Sequence, residues 1–82
     1  MIRILFFAKL REALGCHELE WPVTEPVKVS AVREQLIKKH PAWEEVLCAP
    51  NVLTALNQEV VSLESQVNPG DELAFYPPVT GG

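Results

Sequence analysis

The sequence predicts an α+β protein in which one main helix covers one face of a mixed β-sheet. Three observations favour this fold class: a strand-like segment at each end, a second strand-like segment close behind the first, and one amphipathic segment between the two halves. The 82 residues make a single domain. A chain of this length buries roughly 60–65% of its unfolded surface, so we expect one modest core.

The first two strands are predicted to pair around a short helix. Residues 2–7 are β-branched, aromatic or aliphatic apart from one arginine, and residues 17–21 alternate between apolar or aromatic and acidic side chains. Residues 9–14 have helical spacing, and Gly15 is placed to end that helix. The first strand has Ile2, Ile4 and Phe6 on one face and Arg3, Leu5 and Phe7 on the other. Both faces are partly apolar, which favours a central strand with a helix on one side and a surface available to a partner on the other.

The main helix is predicted at residues 31–40, after a loop over residues 22–28. Ser30 is a suitable N-cap, and Pro41 closes the helix. Residues 42–48 add another helical turn. The predicted inward-facing side chains are Val32, Leu36, Ile37, Trp43 and Leu47.

The second half of the chain predicts two or three more strands. Residues 52–56 and Val60-Val61 are strand-like around a turn, and residues 68–71 match a type II turn with Gly70 at the position that needs positive φ. Residues 72–76 form the last strand, which Pro77-Pro78 ends. This order is that of a β-grasp fold, with the first and last strands as central neighbours. We therefore expect a β-grasp domain at 1–76 and an extended tail at 77–82.

Composition and motifs argue against several function classes. The formal charge is −4, which does not suit a general nucleic-acid binder. No phosphate loop, metalloprotease motif or nucleophile elbow is found, and Cys16 beside His17 is too weak a signal for a nucleophile and its base. Cys16 and Cys48 are expected to be free thiols of a cytoplasmic protein that starts at Met1 without a signal peptide. The chain is therefore not expected to be a self-contained enzyme.

The C-terminus is the one reactive group that the sequence favours. Gly81 and Gly82 have no side chains, so they can enter a narrow active site where a Cβ would clash. Pro77 and Pro78 stiffen the base of the tail and lower the entropy lost on insertion. The terminal carboxylate is a poor electrophile at neutral pH, but activation by ATP would make an acyl adenylate at Gly82. A sulfur donor would then give a thiocarboxylate, and a cysteine thiol would give a thioester.

Three stretches of the sequence carry a family resemblance: Leu5-Phe6-Phe7-Ala8 with Arg11-Glu12, Leu56-Asn57-Gln58, and Gly70 to Gly82. Through them, and over its whole length, the chain resembles the small subunit of molybdopterin synthase, the MoaD family of ubiquitin-like sulfur carriers. The closing Pro-Pro-Val-Thr-Gly-Gly is its most specific part. Residues 21–51 carry little family signal beyond the helix.

The resemblance implies a sulfur-transfer cycle. An ATP-dependent activating enzyme adenylates Gly82, a sulfur donor converts it to a thiocarboxylate, and the tail donates sulfur to a precursor pterin to build the dithiolene of molybdopterin. The synthase of this family is a heterotetramer of two small and two large subunits, and the large subunit supplies the acid–base groups. No cofactor is then expected on this chain itself. The segment inserted into the large subunit would be Pro77, Pro78, Val79, Thr80 and Gly81.

An apolar outward face is expected to dock the partner. Phe7, Val60 and Tyr76 would lie together there if the first and last strands are neighbours. The alternative is that these residues cap a second small core under a loop. Arg11 is either a charged contact at the rim of this interface or an ordinary solvated helix residue.

Three other functions stay open at this point. The sulfur carrier of the thiazole pathway shares the fold, the tail and the activation chemistry, but the Pro-Pro-Val-Thr approach to the glycines disfavours it. A protein-conjugating modifier would attach Gly82 to lysines of other proteins. A plain interaction domain would carry its Gly-Gly tail incidentally.

Overall fold

The computed structural model describes residues 1–50 and 52–77 and has the predicted α+β architecture. Seven strands, three α-helices and one 3₁₀ turn follow one another in the described residues. In chain order they are β1 Ile2–Phe6, α1 Ala8–Leu14, β2 Glu18–Trp21, β3 Val27–Lys28, α2 Val29–Lys39, the 3₁₀ turn Pro41–Trp43, α3 Glu44–Leu47, β4 Leu53–Leu56, β5 Glu59–Val61, β6 Gln66–Val67 and β7 Glu72–Tyr76.

The main sheet has five strands in the order β2-β1-β7-β4-β5. Strands β1 and β7 are parallel central neighbours, with Phe6 opposite Phe75, as the sequence predicts. Strand β2 runs antiparallel to β1, and β4 runs antiparallel to both β7 and β5. The last strand is therefore hydrogen-bonded on both sides, which fixes the direction in which the chain leaves the domain.

The core lies between this sheet and the helices. Ile4, Phe6, Leu73 and Phe75 project inward from the two central strands and are at most 1% exposed. Leu36 of α2 is buried in the same cluster. The Phe6 and Phe75 rings stack with their centroids 5.7 Å apart. Each such side chain contributes about 1.5–3 kcal/mol on burial, so the two central strands anchor the domain.

The segment before the main helix differs from the prediction. Val27–Lys28 of the predicted loop pairs with Gln66–Val67 in a second, two-stranded sheet. Helix α2 begins at Val29, and no side chain caps it, so the prediction of Ser30 as N-cap is wrong. The Val29 N–H donates to the Ser65 carbonyl at 2.9 Å, and the Ser30 N–H to that of Leu63 at 3.0 Å. Backbone carbonyls from the segment just before β6 thus satisfy the free N–H groups that a side-chain cap would otherwise serve.

The predicted turns are present. Gly70 has φ 91°, and the Asp71 N–H donates to the Asn68 carbonyl at 3.1 Å, which closes the turn before β7. Gly15 ends α1 in the left-handed conformation. Asn57 and Gln58 also have positive φ and form the two-residue connection of the β4–β5 hairpin. No helix in the described part of the chain is long and apolar enough to cross a membrane.

Candidate functional site

The candidate site begins where β7 ends. Tyr76 pairs with Leu53 on one side, and the Phe7 N–H donates to the Phe75 carbonyl at 3.2 Å on the other. These bonds hold the end of β7 in the middle of the sheet, and Pro77 follows directly. The predicted tail positions Pro78, Val79, Thr80, Gly81 and Gly82 lie outside the described residues.

The sheet face opposite the core is apolar around the end of β7. Strand register places one row of small and medium side chains across this face, since Leu5 lies opposite Ala74, Ala74 opposite Ala55, and Ala55 opposite Val60. Tyr76 and Leu53 form the next row. With Phe7 these residues make up what we call the outer face: Leu5, Phe7, Leu53, Ala55, Val60, Ala74 and Tyr76.

The aromatic end of the outer face is pre-ordered. The Phe7 and Tyr76 rings are stacked, with centroids 4.7 Å apart and planes only 3° from parallel. Both residues are still partly open to solvent, and Val60 is 65% exposed. That exposure does not fit the alternative of a second small core. Rigid, half-exposed aromatic rings are typical anchors of protein–protein interfaces.

The centre of the outer face is formed by small side chains. Ala55 and Ala74 are only 2% and 4% exposed, and strand register places the larger side chains of Leu5 and Val60 beside them. A sheet face of small side chains with an aromatic end suits a complementary protein surface better than a small molecule.

Charged residues border the outer face on its β2 side. Arg3 lies opposite both Glu20 and Glu72, and Glu18 lies opposite Leu5. Arg3 forms an ion pair with Glu72, and its Nε is 3.9 Å from Glu18. The hydrogen bond to Glu72, helped by the Glu18 charge, raises the pKa of Arg3. Three carboxylates share this border with one cation, so it carries net negative charge and suits a basic rim on a partner.

Arg11 is not among the outer-face residues that strand register defines. It is exposed on α1 and has no ion pair among residues 1–50 and 52–77, while its carbonyl accepts from the Gly15 N–H. Its role at an interface stays a prediction. Cys16 and Cys48 are free thiols, as predicted. The described residues hold no cluster of three or more metal-ligating side chains.

The sequence did not predict four members of the outer face as site residues. Ala55, Ala74, Leu5 and Leu53 join Phe7, Val60 and Tyr76 through strand register. The alternation in β1 and β7 already put Leu5 beside Phe7, and Ala74 beside Tyr76. For Leu53 and Ala55 no such signal was available, because the sequence does not state the register of β4 against β7.

Comparison with known proteins places this chain in one protein family. Fold and site define a small ubiquitin-like β-grasp domain whose central last strand leads into the C-terminal segment. The model of the ThiS family matches residues 4–82, and the chain belongs to that family.

The similar proteins are sulfur carrier subunits and a small archaeal modifier protein. The chain is 43% identical to the "Molybdopterin synthase sulfur carrier subunit" of Haemophilus influenzae and 40% identical to the protein of that name from Escherichia coli, over 100% of both chains in each case. Among solved structures, the small archaeal modifier protein 1 of Haloferax volcanii superposes with a TM-score of 0.83 at 27% identity, covering 95% of this chain and 97% of that one. The resemblance predicted from the sequence is confirmed.

Proposed function

We propose that this chain is the sulfur carrier subunit of a molybdopterin synthase and holds the sulfur as a thiocarboxylate on Gly82. The observation that carries the proposal is the match to carrier subunits of this name over the full length, at 40–43% identity. The fold supports it, because the central strand β7 leads from the outer face directly into the tail.

The chemistry follows from the terminal carboxylate. That group is an anion at neutral pH, so it must first be activated. Attack of a carboxylate oxygen on the α-phosphate of ATP gives the acyl adenylate and releases pyrophosphate. Sulfide, delivered as HS⁻ by the sulfur donor, then attacks the carbonyl carbon, the bond to AMP breaks, and the thiocarboxylate remains while AMP and a proton are released. The activating enzyme supplies the ATP site, and this chain binds no cofactor of its own.

The outer face is the proposed docking surface for the large synthase subunit. Phe7 and Tyr76 would anchor it, with Val60 at its far side. Docking there aims the tail, because Tyr76 on the face is followed at once by Pro77. The five residues after Pro77 can reach at most about 17 Å when extended. Pro77 to Gly81 would occupy the channel to the partner's active site, within a heterotetramer of two small and two large subunits in the cytoplasm.

Intact mass tests the carrier step. The chain is co-expressed with its activating enzyme and a sulfur source, and its intact mass is then measured by mass spectrometry. We expect a mass change that equals the exchange of one oxygen for one sulfur at Gly82. A chain that lacks Gly81-Gly82 is the matched control and should stay unchanged. An unchanged mass of the complete chain, with the activating enzyme shown to be active, would contradict the proposal.

A second candidate function is that of a protein modifier. The likeness to a small archaeal modifier protein favours it. It predicts an isopeptide bond between Gly82 and lysines of many proteins. Tryptic digestion of cell protein would reveal this bond as branched lysine peptides. If branched peptides are found and the reconstituted synthase forms no dithiolene, the chain is a protein modifier. If the synthase forms dithiolene, the main role is that of the molybdopterin synthase carrier, and the thiazole-pathway carrier is excluded as the main role.

A further inference from the structure

A small cleft opens at the β4–β5 edge of the main sheet, on the side that α2 covers. Its volume is about 170 Å³. Leu47, Val52 and Leu63 give it an apolar wall, and Arg33 of α2 brings the one charged side chain among its lining residues. We call it the Arg33 cleft.

The Arg33 guanidinium is not used by the described part of the chain. Its Nε is buried and has no hydrogen-bond partner among those residues, and Arg33 forms no ion pair with them. The other polar side chains of the cleft are already engaged. The Thr54 hydroxyl donates to the Val61 carbonyl at 2.9 Å, and the Ser62 Oγ accepts from the Glu64 N–H at 3.2 Å. Arg33 as a whole is half-buried, but a buried Nε–H donor without a partner is costly, so it points to an acceptor that the described residues do not supply.

The size of the cleft limits what that acceptor is. Pockets for whole small molecules measure about 300–1,000 Å³, well above the volume found here. A single side chain presented by another protein is the better fit. The preferred partner of a guanidinium is a carboxylate, which accepts two parallel hydrogen bonds. The apolar wall favours hydrophobic neighbours on either side of that carboxylate.

Leu53 connects the cleft to the outer face. It lines the Arg33 cleft, and it lies opposite Tyr76 in the sheet. A protein seated on the outer face can therefore reach the cleft around the edge of the sheet, past Leu53. The main sheet ends at β5 among the described residues, so the rim formed by Val61 and Ser62 is open to an extended segment.

We propose that the Arg33 cleft binds a glutamate or aspartate side chain, flanked by apolar residues, on the protein partner that docks on the outer face. This second contact would fix the rotation of the partner about the aromatic anchor. The identity of the partner rests on the proposed function, whereas the preference for a carboxylate rests on the cleft alone.

A pair of peptides tests the cleft without any partner. ¹⁵N-labelled chain is titrated with acetyl-Leu-Glu-Leu-amide and, as the matched probe, acetyl-Leu-Gln-Leu-amide. The glutamate peptide should bind about tenfold more tightly, and it should shift the Arg33 Nε–H signal together with the amides of Val61 and Leu63. Three results would overturn the proposal: equal chemical-shift changes with both peptides, changes confined to residues of the outer face, or no changes at the highest peptide concentration.

A pair of variants tests the contact in the complex. Arg33→Met keeps the aliphatic stem and removes the charge, and Lys38→Met removes an equal charge from the exposed side of the same helix. By calorimetry, Arg33→Met should weaken binding to the large synthase subunit about tenfold, and Lys38→Met less than about twofold. Dispersed amide signals of Arg33→Met establish that it is folded. Equal affinities of the wild-type and Arg33→Met chains would overturn the contact. If the wild-type chain does not bind the large subunit, the proposed function fails, and the peptide pair alone decides the cleft.

Discussion

Ala8 shows how one residue shapes the site. It has φ 54° at the corner where β1 passes into α1. The residue before it, Phe7, caps the helix in an extended conformation and stacks on Tyr76. A left-handed conformation costs an alanine about 1–2 kcal/mol, so the corner is held by the packing around it. The strained corner thus lies directly beside the stacked Phe7 ring.

Replacement of Ala8 by glycine should therefore stabilise the fold. Glycine removes the strain of the left-handed conformation but loses more backbone entropy on folding. The net effect of Ala8→Gly should be a stabilisation of about 0.5 kcal/mol. Ala13→Gly in the same helix should have the opposite sign and cost about 0.5–1 kcal/mol. Urea unfolding of both variants checks this. A clear loss of stability in Ala8→Gly would contradict the strained corner.

Val60 should separate docking from stability. Its side chain is 65% exposed, so Val60→Asp should change the free energy of unfolding by no more than about 0.5 kcal/mol. An added carboxylate on an apolar interface loses its water on binding, and we expect at least tenfold weaker association with the large subunit. Ala42→Asp places the same charge on the exposed 3₁₀ turn and is the control. Equal affinities of the two variants would move the docking surface away from the outer face.

At the scale of elements, the second sheet contributes more than its length suggests. Strands β3 and β6 have two residues each, yet Val67 is fully buried in the main core. The Val29 and Ser30 N–H groups donate to carbonyls of the chain just before β6. The second sheet thus closes one end of the core and holds this segment against the start of α2.

Val67→Thr tests this closing role. The substitution keeps the shape but buries a hydroxyl, which should lower the free energy of unfolding by about 1–3 kcal/mol. Gln66→Thr, at the exposed neighbouring position, should change it by no more than about 0.5 kcal/mol. Thermal or urea unfolding provides the comparison. Similar values for both variants would show that β6 adds little to the core.

The same elements show what the sequence could predict. The alternation in residues 2–6 and 72–76 identified the two central strands, because side chains of period two must divide between core and outer face. Gly70 marked its turn because few other residues adopt its φ. Strands of two residues leave no periodicity to detect, so β3 and β6 were missed. The prediction of a Ser30 cap was wrong because the carbonyls of Leu63 and Ser65 accept from the start of α2 instead. These residues are distant in sequence, so the local pattern around Ser30 does not encode the contact.

At the scale of the whole molecule, the domain fixes the point and the direction at which the C-terminal segment leaves the sheet. The sheet holds β7 between two neighbours, the outer face offers an aromatic anchor beside it, and Pro77 follows. In the proposed cycle, the reactive group at Gly82 and the docking surface are different parts of the chain, and the short segment that begins at Pro77 connects them. Partner binding and sulfur transfer should therefore respond independently to changes in the tail.

A chain extended by one alanine after Gly82 tests this central claim most directly. The assay measures both affinity for the large subunit and dithiolene formation in the reconstituted synthase, with the wild-type thiocarboxylate as reference. We predict affinity within about twofold of wild type, because the outer face is unchanged, and no detectable dithiolene, because the sulfur-bearing group has moved. Dithiolene formation at the wild-type rate by the extended chain would contradict the account.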